Sequence, residues 1–138
     1  MIGLDTAIFI FHFEENQKYL KITSAILGAI EEGKVKGVTS IITLMEILAK
    51  PKAENNQTAV EEYKFVLNTF PNLKVLNIDT RIAEKAAELK ARYGITSRDA
   101  IQAATSILNG ADTFITNDPN LKKVEEIKVL TLDEMLEL

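Results

Sequence analysis

The sequence predicts an α/β domain built on a parallel sheet, and three observations carry that reading. Short apolar runs of strand length recur along the 138 residues. Between them lie longer segments whose apolar residues recur at helical spacing. The two kinds of segment alternate, which is the pattern of βα units with helices on both faces of a sheet. No repeat, low-complexity tract or linker interrupts the alternation, so residues 1–138 read as one domain.

The elements follow in order. Met1–Leu4 is a buried strand that ends at Asp5, and Thr6–Phe13 is an apolar helix broken by Glu14-Glu15-Asn16. From Gln17 to Glu32, the positions Tyr19, Ile22, Ile26, Leu27 and Ile30 mark an amphipathic helix, bracketed at its end by Gly33 and Gly37. Val38–Ser40 is a very short strand. Ile41–Ala49 is a helix with Ile41, Leu44, Met45 and Leu48 on one face, and Pro51 is expected to stop it. Asn55–Phe70 is a helix whose stripe is Val60, Tyr63, Val66, Leu67 and Phe70, followed by a turn at Pro71-Asn72. Leu73–Ile78 is a strand. Asp79 or Thr80 caps the next helix, which buries Ile82, Ala86, Leu89 and Tyr93 and ends at Gly94. Thr96 or Ser97 caps an alanine-rich helix with Ile101, Ala104 and Leu108 inward, and Gly110 ends it. Thr113–Thr116 and Lys128–Leu132 are the last strands, and Asp133–Leu138 is a terminal helix.

Composition removes several classes of function. With 46% hydrophobic and 26% charged residues the chain is an ordinary globular sequence. Cysteine is absent, which excludes disulfides and thiolate metal sites, and the lone His12 excludes a multi-histidine zinc site. A metal site built by this chain must use oxygen ligands, which suits magnesium or manganese. The net charge of −4 argues against a protein that coats long nucleic acid. No apolar run approaches the ~20 residues of a membrane span, and no signal peptide is apparent, so the expected location is the cytoplasm.

In such sheets ligands bind beyond the carboxyl ends of the strands. Asp5 and Asp118 each follow a strand and are expected on that rim, whereas Asp99 opens a helix and Glu46 lies among Ile41, Ile42, Leu44, Met45, Ile47 and Leu48. Each acid has an ordinary structural explanation. Asp5 reads as a helix cap, Glu46 as the polar stripe of a buried helix, and Thr96-x-x-Asp99 as a capping box; Asp118-Pro119 reads as a cap with proline at the first helical position. The set says more than its members. Two carboxylates ~4 Å apart repel by roughly 4 kcal/mol at an effective dielectric of ~20. Four gathered in one cleft need a counter-charge, and a divalent cation supplies one. Asp112, at the start of its strand, belongs on the opposite rim, Asp79 and Asp133 read as caps, and His12 as a partly buried helix residue.

In Leu4-Asp5-Thr6, in Ser40–Leu48 with Glu46, in Asp99-Ala100-Ile101-Gln102-Ala103-Ala104 and in Thr116-Asn117-Asp118, the chain resembles PIN-domain nucleases, most closely the VapC-type toxins of prokaryotic toxin–antitoxin pairs. The order and spacing of these pieces extend the resemblance over essentially the whole chain. It implies a five-stranded parallel sheet of order 3-2-1-4-5 flanked by helices. It implies that Asp5, Glu46, Asp99 and Asp118 are catalytic, metal-holding residues, with Thr6, Thr116 and Asn117 in support. It further implies magnesium- or manganese-dependent cleavage of RNA, a homodimer and a cognate antitoxin. Arg98, Lys122 and Lys123, with Lys50 and Lys52, are candidates for contacting substrate phosphates, beside their plainer reading as surface charges.

The alternative is a PIN-fold RNA-processing or non-catalytic interaction protein that is not a toxin. A phosphoryl-signalling receiver fits less well, because Lys50-Pro51 follows a helix instead of a late strand. A haloacid-dehalogenase-type phosphatase needs a second aspartate two residues after the first, and position 7 is alanine.

Overall fold

A computed structural model describes all residues, 1–138. Five parallel strands stand in the order β3-β2-β1-β4-β5: β1 (Ile2–Leu4), β2 (Gly37–Ser40), β3 (Leu73–Leu76), β4 (Thr113–Thr116) and β5 (Lys128–Thr131). The expected order therefore holds, and β1 is central. Seven helices flank the sheet: α1 (Thr6–Phe13), α2 (Leu20–Glu31), α3 (Ile42–Ala53), α4 (Gln57–Thr69), α5 (Thr80–Tyr93), α6 (Ser97–Leu108) and α7 (Leu132–Leu136). A 3-10 turn at Pro119–Lys123 leads from β4 toward β5.

Strand alternation divides the apolar side chains between two cores. Gly3 pairs in register with Phe114, and Leu4 with Ile115. Leu4 and Ile115 enter the core built by α1 to α4 and α7, with Ile8, Phe9, Ile26, Leu27, Ile30 and Leu67. Phe114 enters the other, built by α5, α6 and the 3-10 turn, with Ile82, Leu89, Ala103, Ala104 and Leu121. Burying a side chain of this size contributes about 1.5–3 kcal/mol. A Cβ built on Gly3 would lie 1.9 Å from Ser106 Oγ and 2.5 Å from Ser106 Cβ, so α6 rests directly on the backbone of the central strand.

Caps fix the helix starts. Asp79 Oδ1 accepts from Ile82 N at 2.9 Å, and Thr96 Oγ1 accepts from Asp99 N at 3.3 Å. Gly94, with φ of +66°, takes the left-handed conformation that closes α5.

Several expectations need correction. Pro51 does not stop α3, which continues to Ala53. The proline stands in the last turn, where it removes a single ladder bond, and Glu54 N still bonds to Lys50 O at 3.0 Å. The buried face of α3 is Thr43, Ile47, Leu48 and Pro51, and Met45 is 63% exposed, because the helix turns Thr43 inward to Thr39 and Gln102. The buried face of α6 is wider than expected and takes in Gln102, Thr105 and Ser106, with Ile101 and Leu108 only half-buried. Asp133 is not a cap, a task performed by Thr131. Asp133 instead accepts from Tyr19 Oη at 2.7 Å. β3 ends at Leu76 instead of Ile78, and β5 ends at Thr131 with Leu132 opening α7.

Candidate active site

Three acids from distant parts of the chain meet at the carboxyl rim of the sheet. Asp5 leaves the end of β1 and caps α1, Glu46 projects from α3, and Asp99 lies in the first turn of α6. Asp5 and Asp99 are only 3% and 5% exposed. Carboxylates this buried need partners, and they have them.

Asp5 Oδ1 accepts from Thr6 N at 2.7 Å, and Asp5 Oδ2 accepts from Thr116 Oγ1 at 2.7 Å. Glu46 Oε1 accepts from Thr6 Oγ1 at 2.6 Å. All three acids then face Arg98. Its Nη2 donates to Asp5 Oδ1 at 2.7 Å and to Glu46 Oε1 at 2.8 Å; its Nε donates to Glu46 Oε2 at 3.0 Å and its Nη1 to Asp99 Oδ1 at 2.5 Å. Burial alone would lower the pKa of Arg98. Its hydrogen bonds to Glu46 and Asp5 and their charges outweigh burial and hold it above its ordinary value.

Asp118 lines the same cleft, with Asp5, Thr6, Ala7, Ile10, Glu46, Arg98 and Asn117. It is tethered on the far side. Its backbone N–H donates to Thr116 Oγ1 at 3.1 Å, and its Oδ1 accepts from Asn120 N at 2.9 Å. Thr116 thus links the first acid to the last. Asn117 Oδ1 is buried and has no hydrogen-bond partner.

Behind the acids lies a connected layer of buried hydroxyls and one amide. Thr39 Oγ1 donates to Leu4 O at 2.8 Å, so the 2.7 Å bond between Thr39 and Thr43 is donated by Thr43. Gln102 Nε2 donates to Thr43 Oγ1 at 2.9 Å and to Thr6 Oγ1 at 3.1 Å, while its Oε1 accepts from Ser40 N at 3.3 Å. Thr6 Oγ1, which also lies 3.2 Å from Thr43 Oγ1, donates to Glu46 Oε1. Gln102, 1% exposed, therefore ties α6 to α1, α3 and β2. Sequence reasoning gave it no role, although a buried glutamine one turn after Asp99 in an alanine-rich helix is a visible signal.

The donor set fits a hard divalent cation: it is all oxygen, and it includes the unpartnered Asn117 Oδ1. As placed, however, no three acids stand close enough together to hold an ion between them. The Arg98 guanidinium stands among them instead. The other basic candidates lie elsewhere. Lys122 Nζ is 2.5 Å from Glu134 and donates to Val129 O at 3.2 Å, and Lys50 pairs with Glu14 at 3.1 Å. Lys123 and Lys52 are exposed. Asp112 is at the opposite rim, as expected, 3.6 Å from the N-terminal ammonium.

This sheet order, with acids converging at the carboxyl rim of the central strands, defines a class. The PIN domain family profile matches residues 2–127, and the chain belongs to that family. Comparison with curated proteins gives no match. Among solved structures the chain is similar to a toxin–antitoxin complex from Klebsiella pneumoniae (TM-score 0.73, 23% identity, covering 95% of this chain and 96% of that one). It is also similar to DNA-bound VapBC from Salmonella typhimurium (0.72, 20%, 95% and 97%) and to FitAcB from Neisseria gonorrhoeae (0.69, 21%, 96% and 98%). At these identities the likeness is one of fold. No helix is long and apolar enough to cross a membrane.

Proposed function

We propose that this PIN domain is a magnesium- or manganese-dependent endoribonuclease that hydrolyses RNA phosphodiester bonds, and that it is the toxin of a toxin–antitoxin pair. The observation that carries the reading is the convergence of Asp5, Glu46 and Asp99 on the Arg98 guanidinium, beside a cleft lined by Asp5, Glu46 and Asp118. These four acids are the residues that would hold the cation. When bound, a cation of this kind neutralises part of the acidic charge, binds phosphate oxygens and makes water a competent nucleophile at neutral pH.

The chain's own residues orient the site. Thr6 N–H and the Thr116 hydroxyl hold Asp5 in place, and the Thr6 hydroxyl does the same for Glu46. Asp99 lies in the first turn of α6, where the positive end of the helix dipole favours a carboxylate. Asn117, which lines the cleft, carries a buried acceptor without a partner. Arg98, and more distantly the exposed Lys123, supply positive charge for the RNA backbone.

The test is cleavage of a mixed RNA panel in magnesium or manganese, with Asp5→Asn and Asp99→Asn as controls. Cleavage that ceases with chelator and in both variants is expected. Cleavage that survives either would overturn the mechanism.

The toxin assignment rests on the neighbours named above and on a groove of mixed character beside the acids. Ile10 and Glu46 line both the acidic cleft and this groove, in which Phe13, Ile47 and Tyr63 alternate with the charged Glu14, Lys50 and Glu54. Such a groove suits an amphipathic segment of an antitoxin whose polar end reaches the acids. A small antitoxin reading frame adjacent to the gene, whose product blocks cleavage, is expected. A homodimer in the cytoplasm completes the reading, and light scattering of the purified protein tests the dimer.

A further inference from the structure

We infer that Arg98 and the divalent cation are alternative occupants of one place, so that the metal-free protein carries its own resident counter-cation, which must leave before metal can enter. The inference rests on the metal-site reading above and adds to it the state that precedes metal binding.

The geometry makes the two exclusive. Every acid of the buried group points an oxygen at the guanidinium: Asp5 Oδ1 at 2.7 Å, Glu46 Oε1 and Oε2 at 2.8 and 3.0 Å, and Asp99 Oδ1 at 2.5 Å. These are the oxygens a cation would have to share. A magnesium–oxygen distance of about 2.1 Å draws ligands closer than the guanidinium can tolerate. Two cations at one point also repel.

No other side chain replaces Arg98 in this task. Lys50 is committed to Glu14 and Lys122 to Glu134. Without Arg98, two almost fully buried carboxylates and Glu46 would have no cationic partner. Departure is nonetheless sterically simple. Arg98 is in the first turn of α6, its side chain is 34% exposed, and its own backbone need not move for the guanidinium to turn outward.

A binding-competent state populated at fraction f raises the apparent Kd by 1/f. A roughly tenfold preference for the inward guanidinium thus weakens metal binding about tenfold. The same exchange delivers an arginine fork to the mouth of the cleft only after metal has entered, which couples metal loading to phosphate recognition.

Two measurements on the full chain, without RNA, test this. The first is a magnesium titration of protein labelled with ¹⁵N-arginine. The Arg98 Nε–H signal, sheltered by Glu46 in the metal-free protein, is expected to lose its protection from solvent exchange as magnesium saturates. A signal that stays protected at saturation overturns the exclusion. The second is manganese affinity, read by the electron paramagnetic signal of free ion, for the native protein and Arg98→Ala, with folding checked by circular dichroism. About tenfold tighter binding in the variant is expected, together with a lower metal-free melting temperature. Affinities within about twofold overturn the inference and leave the metal site standing. Binding by neither protein overturns the metal-site reading and this one with it. Arg98→Gln, neutral and still able to hydrogen-bond, gives the same comparison should the alanine variant not fold.

Discussion

Thr116→Val is a substitution of nearly constant shape at a side chain that is fully buried. It opens no cavity, so the whole effect is polar. The hydroxyl donates to Asp5 Oδ2 at 2.7 Å and accepts from Asp118 N at 3.1 Å. A hydrogen bond to a charged group is worth about 1.5–3 kcal/mol, and a donor left without its partner costs about 1–3 kcal/mol. Asp5 Oδ2 keeps a long contact with Arg98 Nη1 at 3.5 Å, and the Asp118 amide is only partly buried, so the lower halves of these ranges apply. The sum is about 3 kcal/mol. For a domain of this size that lowers the melting temperature by about 10 °C. Urea denaturation and calorimetry in chelator measure it, with Thr113→Val at the opposite end of the same strand as the control. A loss below about 0.5 kcal/mol, the scatter of ordinary surface substitutions, would refute the claim that Thr116 holds the first and last acids in place.

Gln102→Leu preserves volume but strips partners from Ser40 N, Thr6 Oγ1 and Thr43 Oγ1. A loss of about 2–4 kcal/mol in chemical denaturation is expected, and a neutral outcome would mean that the polar layer reorganises freely. Gly3→Ala puts a methyl into Ser106 and is expected to cost at least the 1–3 kcal/mol of an overpacked core; Ser106→Gly should recover more of it than Ser106→Ala, since Ser106 Cβ is itself 2.5 Å away. His12 has its pKa lowered from 6.5, chiefly by burial and partly offset by Glu15. The unfolded chain therefore takes up this proton first. The His12 contribution is fully present above pH 6.5 and declines as pH falls through the depressed folded value. Urea melts at pH 7.5 and 5.5 should show a decline that His12→Gln reduces, and an unchanged slope in that variant would remove His12 as its cause.

Much of this arrangement was legible in the sequence. The alternation of short strands and amphipathic helices was enough for the fold class, because each strand's two faces must be covered. Asp5 and Asp118 were placed on the rim simply by following strands. Glu46 was visible as an anomaly in an apolar helix, although the face of that helix was misjudged: Met45 was expected inside and Glu46 invited a solvent-stripe reading. Apolar periodicity cannot register a helix that turns polar residues inward toward other polar residues, and α3 and α6 both do so. Pro51 misled for a different reason, since the cost of a proline depends on how many ladder bonds remain to be broken, and in a final turn there are few. Arg98 was legible as a neighbour of Asp99 but not as the centre of the cluster. Adjacent residues on a helix point about 100° apart, so that only the long side chain, folding back across the cleft, brings the guanidinium to its neighbour's carboxylate.

The contact between Gly3 and Ser106 bears on more than packing. It works as a mechanical stop on α6. Seven residues separate Ser106 from Asp99, a rise of about 10 Å along the helix. Sliding by one residue would move Arg98 and Asp99 by about 1.5 Å, enough to break every short bond they make. The elevation of the acidic cleft is thus gauged from the far end of the helix, against a strand position that has no side chain. Calibration of the site is stored where no ligand reaches, and a change of one methyl there would register at the rim as a change of alignment.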